Sequence, residues 1–301
     1  MLDITAAVGA VVGKVPGAAT LGLGSRKPLQ GRVAAVTGGA AGIGRATAAA
    51  LVEQGAVVVI GDVDGAGAQR AAHEVGAAMA QRLDVTDRAG FTTFLDTVEA
   101  VHGPLDILIN NAGVMPLGRL VDEDDATTER ILQVNLHAVI HGTREAMHRM
   151  VPRGNGHVVN LASTLGKAGL PGGATYCATK FAVVGFSESV KAELAGTGVD
   201  LTLVLPGIVQ TSLGEGVQQP LMIRRVQPEE VAAAIVDALE RPRYEVYVPF
   251  EAGPVAMLGA ALPSGLRDRV ARGLGLHATL ADADAELRAA YESRVRASRA
   301  G

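Results

Sequence analysis

The strongest constraint on the fold is a regular alternation of short apolar runs and helix-length segments between Arg32 and Phe250. Most of the runs are apolar throughout, as expected for strands that are buried on both faces. Strands that alternate with helices favour right-handed crossovers and a parallel sheet with helices on both of its faces. We therefore predict one α/β domain with a doubly wound, mostly parallel sheet of about seven strands. The predicted strands are Val33–Thr37, Ala56–Ile60, Ala78–Leu83, Ile107–Asn110, His157–Ala162, Val199–Leu205 and Glu245–Val248.

The residues outside this region differ from it in character. Residues 1–28 are mildly apolar but are interrupted by glycines and Pro16. This pattern fits neither a signal peptide nor a spanning helix, so we predict an N-terminal arm. We assign residues 29–250 to the main domain and residues 251–301 to a C-terminal extension.

The C-terminal extension contains a second periodic segment. Between Ala278 and Ser298, apolar residues such as Leu280 and Tyr291 recur at three- and four-residue steps, which predicts one amphipathic helix. The simplest interpretation is a helix that packs on the main domain or on another subunit. A helix that covers a pocket or lies on a membrane surface stays open, because Arg267 and Arg272 flank apolar residues.

Charge and cysteine content exclude some classes of function. The net charge is −4, so no basic excess indicates a nucleic-acid partner. Cys177 is the only cysteine, which excludes an internal disulfide and favours a reducing compartment. We predict a cytoplasmic protein, with weak peripheral contact with a membrane surface as an alternative.

A glycine-rich turn follows the first predicted strand. Gly38, Gly42 and Gly44 form a G-x-x-x-G-x-G pattern, and a helix-like segment begins near Arg45. Glycines let the backbone turn sharply and approach a pyrophosphate, which then faces the N–H groups of the helix. Glycine clusters also occur in loops for steric reasons alone. The position between a strand and a helix nevertheless predicts a dinucleotide site.

Asp62 indicates which dinucleotide binds. It ends the second strand, where a carboxylate accepts hydrogen bonds from the adenosine ribose and repels a 2'-phosphate. Ala41 and Val63 offer no basic group for that phosphate, so we predict NAD, with NADP as the less favoured cofactor. The alternative role of Asp62 is to cap the next helix, but Asp64 competes for that role.

Two further strand ends carry polar residues. Asp84, followed by Val85, either bonds the adenine amino group or caps a turn. After the fourth strand, the small residues and amides of Asn111, Ala112 and Gly113 let the backbone run beside the ribose and adenine. The preceding Asn110 either joins this site or ties neighbouring strands together.

Tyr176 and Lys180 lie four residues apart in a helix-like segment, so they share one face of the helix. The reference pKa of a phenol is about 10, and a nearby ammonium lowers that pKa by stabilising the phenolate. Such a pair fits acid/base catalysis, although it also arises by chance on surface helices.

Neighbouring residues strengthen the catalytic interpretation. Ser163 follows the fifth strand and would hold the oxygen of a substrate, with Thr164 as the alternative hydroxyl. Asn135 lies in an apolar stretch of a long helix, where an unpaired amide is costly. It either binds a water that relays protons to Lys180 or satisfies a neighbouring backbone group.

Other polar residues have simpler explanations. Cys177 is interpreted as a packing residue. His137, His141 and His148 share a helix without an H-E-x-x-H pattern, so we predict a solvated or interface face and no metal site. The acidic residues 122–125 fit the solvated start of that helix.

The combined motifs resemble those of the short-chain dehydrogenase/reductase family. They are Thr37-Gly38-x-x-x-Gly42-x-Gly44, Asn110-Asn111-Ala112-Gly113, Asn135, Ser163, Tyr176-x-x-x-Lys180 and Pro206-Gly207, and they occur in the family's order between about Leu29 and Pro249. The resemblance implies a Rossmann fold and a homodimer or homotetramer built through the helices of Asn135 and Tyr176.

The resemblance also implies roles for individual residues. Tyr176 is the expected acid/base and Lys180 its partner, which also bonds the nicotinamide ribose. Ser163 is expected to orient the substrate and Asn135 to hold a relay water. The expected cofactor contacts, beyond Tyr176 and Lys180, are Gly38, Ala41, Gly42, Ile43, Gly44, Asp62, Val63, Asp84, Val85, Asn111, Ala112, Gly113, Pro206, Gly207, Ile208 and Thr211.

The substrate is predicted from the segment after the nicotinamide loop. Residues 212–227 are rich in apolar side chains, and Leu165, Leu170 and Leu213 are candidate contacts. We predict an NAD-dependent oxidoreductase that interconverts a hydrophobic secondary alcohol, such as a lipid, steroid or terpenoid, and its ketone. An NADP-dependent 3-ketoacyl-type reductase is one alternative, since Arg224 and Arg225 suit an acyl carrier. A non-catalytic NAD-binding sensor or scaffold is another.

Overall fold

The computed structural model of the protein describes residues 26–220, 224–254, 256 and 262–297. Its strands are β1 Val33–Thr37, β2 Val57–Asp62, β3 Met79–Arg82, β4 Leu105–Asn110, β5 Gly156–Leu161, β6 Val199–Pro206 and β7 Glu245–Val248. They form one seven-stranded sheet in the order β3-β2-β1-β4-β5-β6-β7, and each neighbouring pair is parallel. This confirms the predicted fold class, with a sheet that is parallel throughout the described residues.

Helices cover both faces of the sheet, as predicted. They are α1 Gly42–Glu53, α2 Gly65–Val75, α3 Arg88–His102, α4 Asp125–Leu132, α5 Ala138–Met150, α6 Ala174–Glu193, α7 Pro228–Glu240, α8 Ser264–Gly273, α9 Ala278–Ala281 and α10 Ala285–Ala297. Apolar side chains of α1, α2 and α7 form one core with the strands. Side chains of α3, α5 and α6 form a second core on the opposite face.

The order of the strands leaves a crevice of the kind in which open α/β sheets bind ligands. The chain runs from β1 to β2 and β3 on one side, and then returns to place β4 on the other side of β1. In an open parallel sheet, this reversal leaves a crevice at the carboxyl ends of the two strands. The glycine turn after β1 and residues 111–113 after β4 meet at this crevice.

Close packing between these two segments requires glycine. Gly38 has a φ of +67°, and a Cβ at this position would lie 2.8 Å from the Cα of Ala112. A Cβ at Gly44 would lie only 2.2 Å from the carbonyl oxygen of Gly38. Larger residues would therefore force the turn away from β4.

Residues 125–150 run as α4, a π-helical turn Gln133–His137, and α5. The π turn adds a residue to one turn of the helix, and such turns are frequent at functional sites. It contains Asn135, which is completely buried. At the start of α4, Asp124 caps the helix by accepting the N–H of Thr127, in agreement with the predicted acidic helix start.

The prediction of one amphipathic helix over Ala278–Ser298 is wrong in two respects. Residues 282–284 separate α9 from α10, because Asp284 bonds the N–H groups of Glu286 and Leu287 and starts a new helix. Leu287 is 54% exposed, whereas Arg288 is only 3% exposed. The buried face of α10 therefore carries a charged residue that the apolar pattern did not select. Ser298 lies outside the described residues.

Two other sequence predictions concern the periphery of the fold. Of the predicted N-terminal arm, residues 1–25 lie outside the described residues. No helix in the described ranges is both long and apolar enough to span a bilayer.

Candidate active site

Tyr176, Lys180 and Ser163 are brought together at the carboxyl end of β5. Lys180 and Tyr176 lie on the buried side of α6, and the Lys180 ammonium lies 5.6 Å from the centre of the Tyr176 ring. Lys180 Nζ also donates to the carbonyl oxygen of Leu161, at 2.9 Å. Ser163 follows β5, and its side chain is close enough to the Tyr176 hydroxyl to lower the pKa of that phenol. The strand end and the helix thus place two hydroxyls and a cation in one buried cluster.

Burial changes the ionisation of both members of the Tyr–Lys pair. It lowers the pKa of Lys180 to about 8, since the ammonium is removed from water. It also raises the pKa of Tyr176, while the hydrogen bond from Ser163 acts in the opposite direction. With its pKa raised by burial, the Tyr176 phenol is protonated at neutral pH.

Ser163 is held by the backbone on two sides. Its hydroxyl accepts the N–H of Leu165 at 3.1 Å and lies 3.4 Å from the carbonyl oxygen of Pro206. It therefore caps the 3₁₀ turn Thr164–Gly166. Thr164, the alternative hydroxyl, is the first residue of this turn.

Asn135 contacts a backbone segment beside the lysine. Its Oδ1 accepts the N–H of Val114 and its Nδ2 donates to the carbonyl oxygen of Val114, each at 2.8 Å. A Cβ added at Gly113 would lie 3.5 Å from Asn135 Oδ1 and 4.0 Å from Lys180 Nζ. The amide thus fixes the chain after β4 at the place where it passes the ammonium.

The start of α1 has the features of an anion site. The residue before the helix, Ala41, makes no side-chain cap, and the first turn carries no acidic side chain. By contrast, Asp64, Asp87 and Asp124 cap α2, α3 and α4. No side chain therefore caps the first turn of α1, and a pyrophosphate fits this helix start by charge.

Asp62 lies at the end of β2, next to the glycine turn. Its two carboxylate oxygens accept the N–H groups of Ala40 and Asp64, each at 3.0 Å. Burial raises the pKa of Asp62, and these backbone bonds partly oppose the rise. Asp64 accepts the N–H of Gly67 and caps α2, as the sequence suggested. The exposed Arg82 stands opposite Asp62 in the register of β2 and β3, which the sequence analysis did not anticipate.

Other predicted contacts have structural partners. Asp84 accepts the N–H and the hydroxyl of Thr86 and lies 3.7 Å from Arg130, so the structure shows the turn role that the sequence left open. Asn110 bonds Asn160 and thereby ties β4 to β5. Val85 is buried, whereas Val63 is exposed.

The loop after β4 is tied to the glycine turn by two side chains. The Asn111 amide donates to the carbonyl oxygens of Thr37 and Gly38, each at 2.9 Å. Thr37 was predicted only as the first residue of the glycine motif, without a contact of its own. Its hydroxyl accepts the N–H groups of Asn111 and Ala112, which holds residues 111–113 beside the turn.

The loop after β6 closes the crevice. Gly207 donates its N–H to the carbonyl oxygen of Val248, at 2.8 Å. Thr211 lies next to the glycine turn, since a Cβ added at Gly42 would be 3.0 Å from Thr211 Cγ2. Pro206, Gly207 and Thr211 thus border the space between Ser163 and the start of α1.

An apolar cluster surrounds Tyr176. Met115, Val217 and Leu280 are buried in it. The predicted substrate contacts Leu165, Leu170 and Leu213 pack against it, as does Ile208. Leu221, Met222 and Ile223, which contributed to the predicted apolar segment, lie outside the described residues.

The histidines of α5 and its preceding turn do not form one solvated face. His141 is buried against Phe91 and its Nε2 lies 3.1 Å from the carbonyl oxygen of Arg88, so the predicted solvated or interface role is wrong for this residue. His148 is exposed. Cys177 is buried, in accord with a packing role. Within the described ranges, no three His, Cys, Asp or Glu side chains are grouped to hold a metal ion.

Comparison with known proteins agrees with this geometry. The model of the short chain dehydrogenase family matches residues 32–221. A 3-alpha-(or 20-beta)-hydroxysteroid dehydrogenase of Mycobacterium tuberculosis is 40% identical over 215 residues, which cover 69% of this chain and 82% of that protein. The probable oxidoreductase EphD of the same species is 36% identical over 256 residues. That match covers 77% of this chain but only 43% of EphD, so the chain spans less than half of that relative's length.

A solved structure shows the same architecture. A short chain dehydrogenase/reductase from Burkholderia phymatum, in complex with NAD, superposes with a TM-score of 0.71 and 26% sequence identity. The superposition covers 77% of this chain and 94% of the other. Together with the matched family model and the convergence of Ser163, Tyr176 and Lys180, these similarities show that the chain belongs to the short-chain dehydrogenase/reductase family.

Proposed function

We propose that the protein is an NAD-dependent oxidoreductase that interconverts a hydrophobic secondary alcohol and the corresponding ketone. The observation that carries this proposal is the buried cluster of Ser163, Tyr176 and Lys180, in which the Lys180 ammonium lies 5.6 Å from the centre of the Tyr176 ring. The cluster lies at the carboxyl ends of the strands, where open parallel sheets commonly bind their ligands.

In the proposed reaction, Tyr176 is the acid/base. During oxidation the phenolate accepts the proton of the substrate hydroxyl, and during reduction the phenol returns it to the oxygen of the ketone. Ser163 holds that oxygen by a hydrogen bond that strengthens as negative charge develops. The bound nicotinamide supplies the acceptor or donor of the hydride.

Lys180 and Asn135 support Tyr176 in different ways. The Lys180 ammonium stabilises the phenolate and so lowers the pKa of Tyr176 against the effect of burial. Asn135 holds Val114, and with it the chain that passes Lys180. The N–H of Val114 uses one of the two lone pairs of Asn135 Oδ1. The second lone pair fits a water that relays protons to Lys180.

The uncapped start of α1 and the glycine turn support a dinucleotide at this site, held by the residues predicted above. Asp62 supports NAD in particular. Each of its carboxylate oxygens has one backbone partner and a remaining lone pair for a ribose hydroxyl, while its charge opposes a 2'-phosphate.

The apolar cluster beside Tyr176 supports a hydrophobic substrate. Its described members carry no charged side chain, and pockets of this kind bind apolar ligands through burial. The hydroxysteroid dehydrogenase relative is named for substrates of this chemical type. We therefore favour a steroid-sized cyclic alcohol among the hydrophobic candidates.

Two observations weigh against the alternative functions. Arg224 pairs with Glu230 through two hydrogen bonds, and Arg225 donates to the carbonyl oxygens of Gly214 and Val217, so neither arginine is reserved for an acyl carrier. A non-catalytic NAD sensor would not require the buried Tyr–Lys–Ser cluster. Turnover assays with free secondary alcohols and with carrier-bound 3-ketoacyl groups, each run with NAD and with NADP, distinguish these functions.

We also propose a homodimer in which α6 faces its counterpart. Ala174, Ala178, Phe181 and Gly185 are exposed at steps of four, three and four residues, so they lie along one face of α6. Small residues beside an exposed aromatic allow two helices to approach closely. Pairing of two such dimers would give the homotetramer.

For location, we propose the cytoplasm, in agreement with the unpaired, buried thiol of Cys177. Weak peripheral contact with an anionic membrane is a second proposal, supported by α8. This helix exposes Leu266 and Val270 close to Arg267 and Arg269.

Replacement of Tyr176 by Phe tests the reaction. We expect kcat/KM to fall by at least about 100-fold, because the proton donor and acceptor is lost. NAD affinity, measured by calorimetry, should change little. Tyr247→Phe, in a tyrosine of β7, is the matched control and should retain activity. Near-normal turnover by Tyr176→Phe would refute the assignment.

The pH dependence of stability tests the burial of Lys180. Its pKa is lowered to about 8 in the folded protein, so between about 8 and its ordinary value the unfolded chain binds more protons. The free energy of unfolding of the NAD-free wild type should therefore rise with pH relative to Lys180→Met, by up to about 1.4 kcal/mol per pH unit. Urea unfolding of both proteins from pH 7 to 10 measures the difference, which would be constant if the ammonium were solvated.

Replacement of Asp62 by Ala tests the cofactor preference. The wild type should have a higher kcat/KM with NAD than with NADP, and Asp62→Ala should reduce this ratio by about 10-fold or more, because repulsion of the 2'-phosphate is removed. Asp64→Ala removes a nearby carboxylate that caps α2, and should lower the Tm without changing the ratio. A wild type that prefers NADP would contradict the proposal.

Phe181→Glu tests the assembly. A charge in the middle of an apolar helix interface is unfavourable, so the variant should be monomeric where the wild type is dimeric or tetrameric. Light scattering coupled to size-exclusion chromatography measures the mass. Val101→Glu, at an exposed position of α3, is the control. An unchanged mass for Phe181→Glu would exclude this interface.

A further inference from the structure

The C-terminal segment packs against the same apolar cluster that contains Tyr176. Leu280 of α9 and Tyr291 and Arg288 of α10 are 3%, 7% and 3% exposed, although their helices lie at the surface of the molecule. We propose that α9 and α10 form the outer wall of the substrate site within the same chain, with Leu280 limiting the size of the substrate. This inference rests on the proposed function, which places the substrate beside Tyr176.

Arg288 attaches this wall to two loops. Its Nη1 donates to the carbonyl oxygens of Leu213 and Glu215, after β6, and its Nη2 donates to that of Met115, after β4. Nε and Nη2 each also donate to Glu292 at 3.2 Å. All five guanidinium N–H groups therefore have acceptors, which is what a buried cation requires.

The two loops that Arg288 joins are the ones that border the site. Met115 and Leu213 both belong to the apolar cluster around Tyr176. Loss of the guanidinium would leave three carbonyl oxygens without this donor, and the bond to that of Met115 is buried. Arg288 is therefore a positioning residue, which acts through the loops and not on the substrate.

Tyr291 lies at the inner side of α10. Its hydroxyl accepts the N–H of Met115 at 2.6 Å, and it is close enough to Tyr176 to influence the pKa of that phenol. The ring also lies 5.1 Å from the guanidinium carbon of Arg288. Because the Tyr291 oxygen accepts the N–H of Met115, its own hydroxyl proton can donate to a polar group on a ligand.

Leu280 fills the space beside the loop before α6. A Cβ at Gly173 would lie 2.7 Å from Leu280 Cδ1, and a Cβ at Gly172 would lie 2.7 Å from the backbone nitrogen of Ala281. Backbone bonds from Gln218 to Thr279 and from Asp284 to Gly216 hold α9 against the loop after β6. Leu280 is thus pressed onto the residues next to Tyr176.

This arrangement has a direct consequence for selectivity. Tyr176 is only 6% exposed and shares its apolar cluster with Leu280 of α9. A substrate that reaches its hydroxyl therefore contacts the wall. Substrate bulk is limited by the side chain at position 280, and the position of the wall depends on Arg288.

Leu280→Ala tests the limit on size. We expect kcat/KM for the four-ring alcohol androsterone to rise by about 10-fold relative to that for cyclohexanol, since a larger space accepts the bulkier ring system. Leu287→Ala, on the exposed side of α10, should leave the ratio at the wild-type value. An unchanged ratio in Leu280→Ala, or an equal change in both variants, would overturn the inference.

Arg288→Lys and Arg288→Met test the attachment. Both should raise KM for the alcohol by at least about 5-fold while the Kd for NAD stays within a factor of two, and Arg288→Lys covers the case in which Arg288→Met fails to fold. Amide hydrogen exchange in a peptide spanning residues 113–118 should be at least about 10-fold faster than in Leu287→Ala, because Met115 loses its support. Wild-type exchange in the arginine variants would overturn the attachment.

These measurements separate the two proposals. A wild type that oxidises no alcohol would refute the proposed function, yet the exchange experiment would still show whether Arg288 fixes the loop. An active wild type whose size preference and exchange are unaffected by all three changes would retain the proposed function and refute the wall.

Discussion

The proposed active site depends on keeping the Lys180 ammonium out of water beside the Tyr176 ring. Desolvation of a cation is unfavourable, so its surroundings must be fixed by the fold. The end of β5 supplies the carbonyl oxygen of Leu161, and α6 holds both side chains on one face. Asn135 fixes the chain beside the ammonium through its paired bonds with Val114. The sheet, helix α6 and the π turn therefore act together to hold the Lys180 ammonium next to Tyr176.

Much of this arrangement could be predicted from local sequence patterns. Seven apolar runs separated by helix-length segments were sufficient for the sheet, because burial on both faces leaves a clear apolar signal. The spacing of Tyr176 and Lys180 placed both on one helix face, and the topology of parallel strands placed Ser163 at the same edge. The bounds of the strands were less predictable. β4 begins at Leu105, two residues before the predicted start, since the polar Asp106 interrupts its apolar run.

Features that depend on distant backbone atoms could not be predicted in this way. Arg288 is polar, and its burial is explained only by the carbonyl oxygens of Met115, Leu213 and Glu215, which are more than seventy residues away in the chain. Thr37 and Asn111 connect the glycine turn to β4 in a similar manner. Amphipathic spacing selected Leu287 instead of Arg288, because periodicity measures hydrophobicity and does not detect a saturated polar group.

The close contact between the glycine turn and the end of β4 also determines where the enzyme can be redesigned. Gly38 and Gly44 are confined by Ala112, Asn111 and the turn itself, so substitutions there disturb the sheet before they alter cofactor choice. Val63, in contrast, is exposed at the end of β2 next to Asp62. Libraries that aim to exchange the dinucleotide should therefore vary the end of β2, which is proposed to contact the adenosine ribose. They should retain the glycine turn, which is proposed to hold the pyrophosphate.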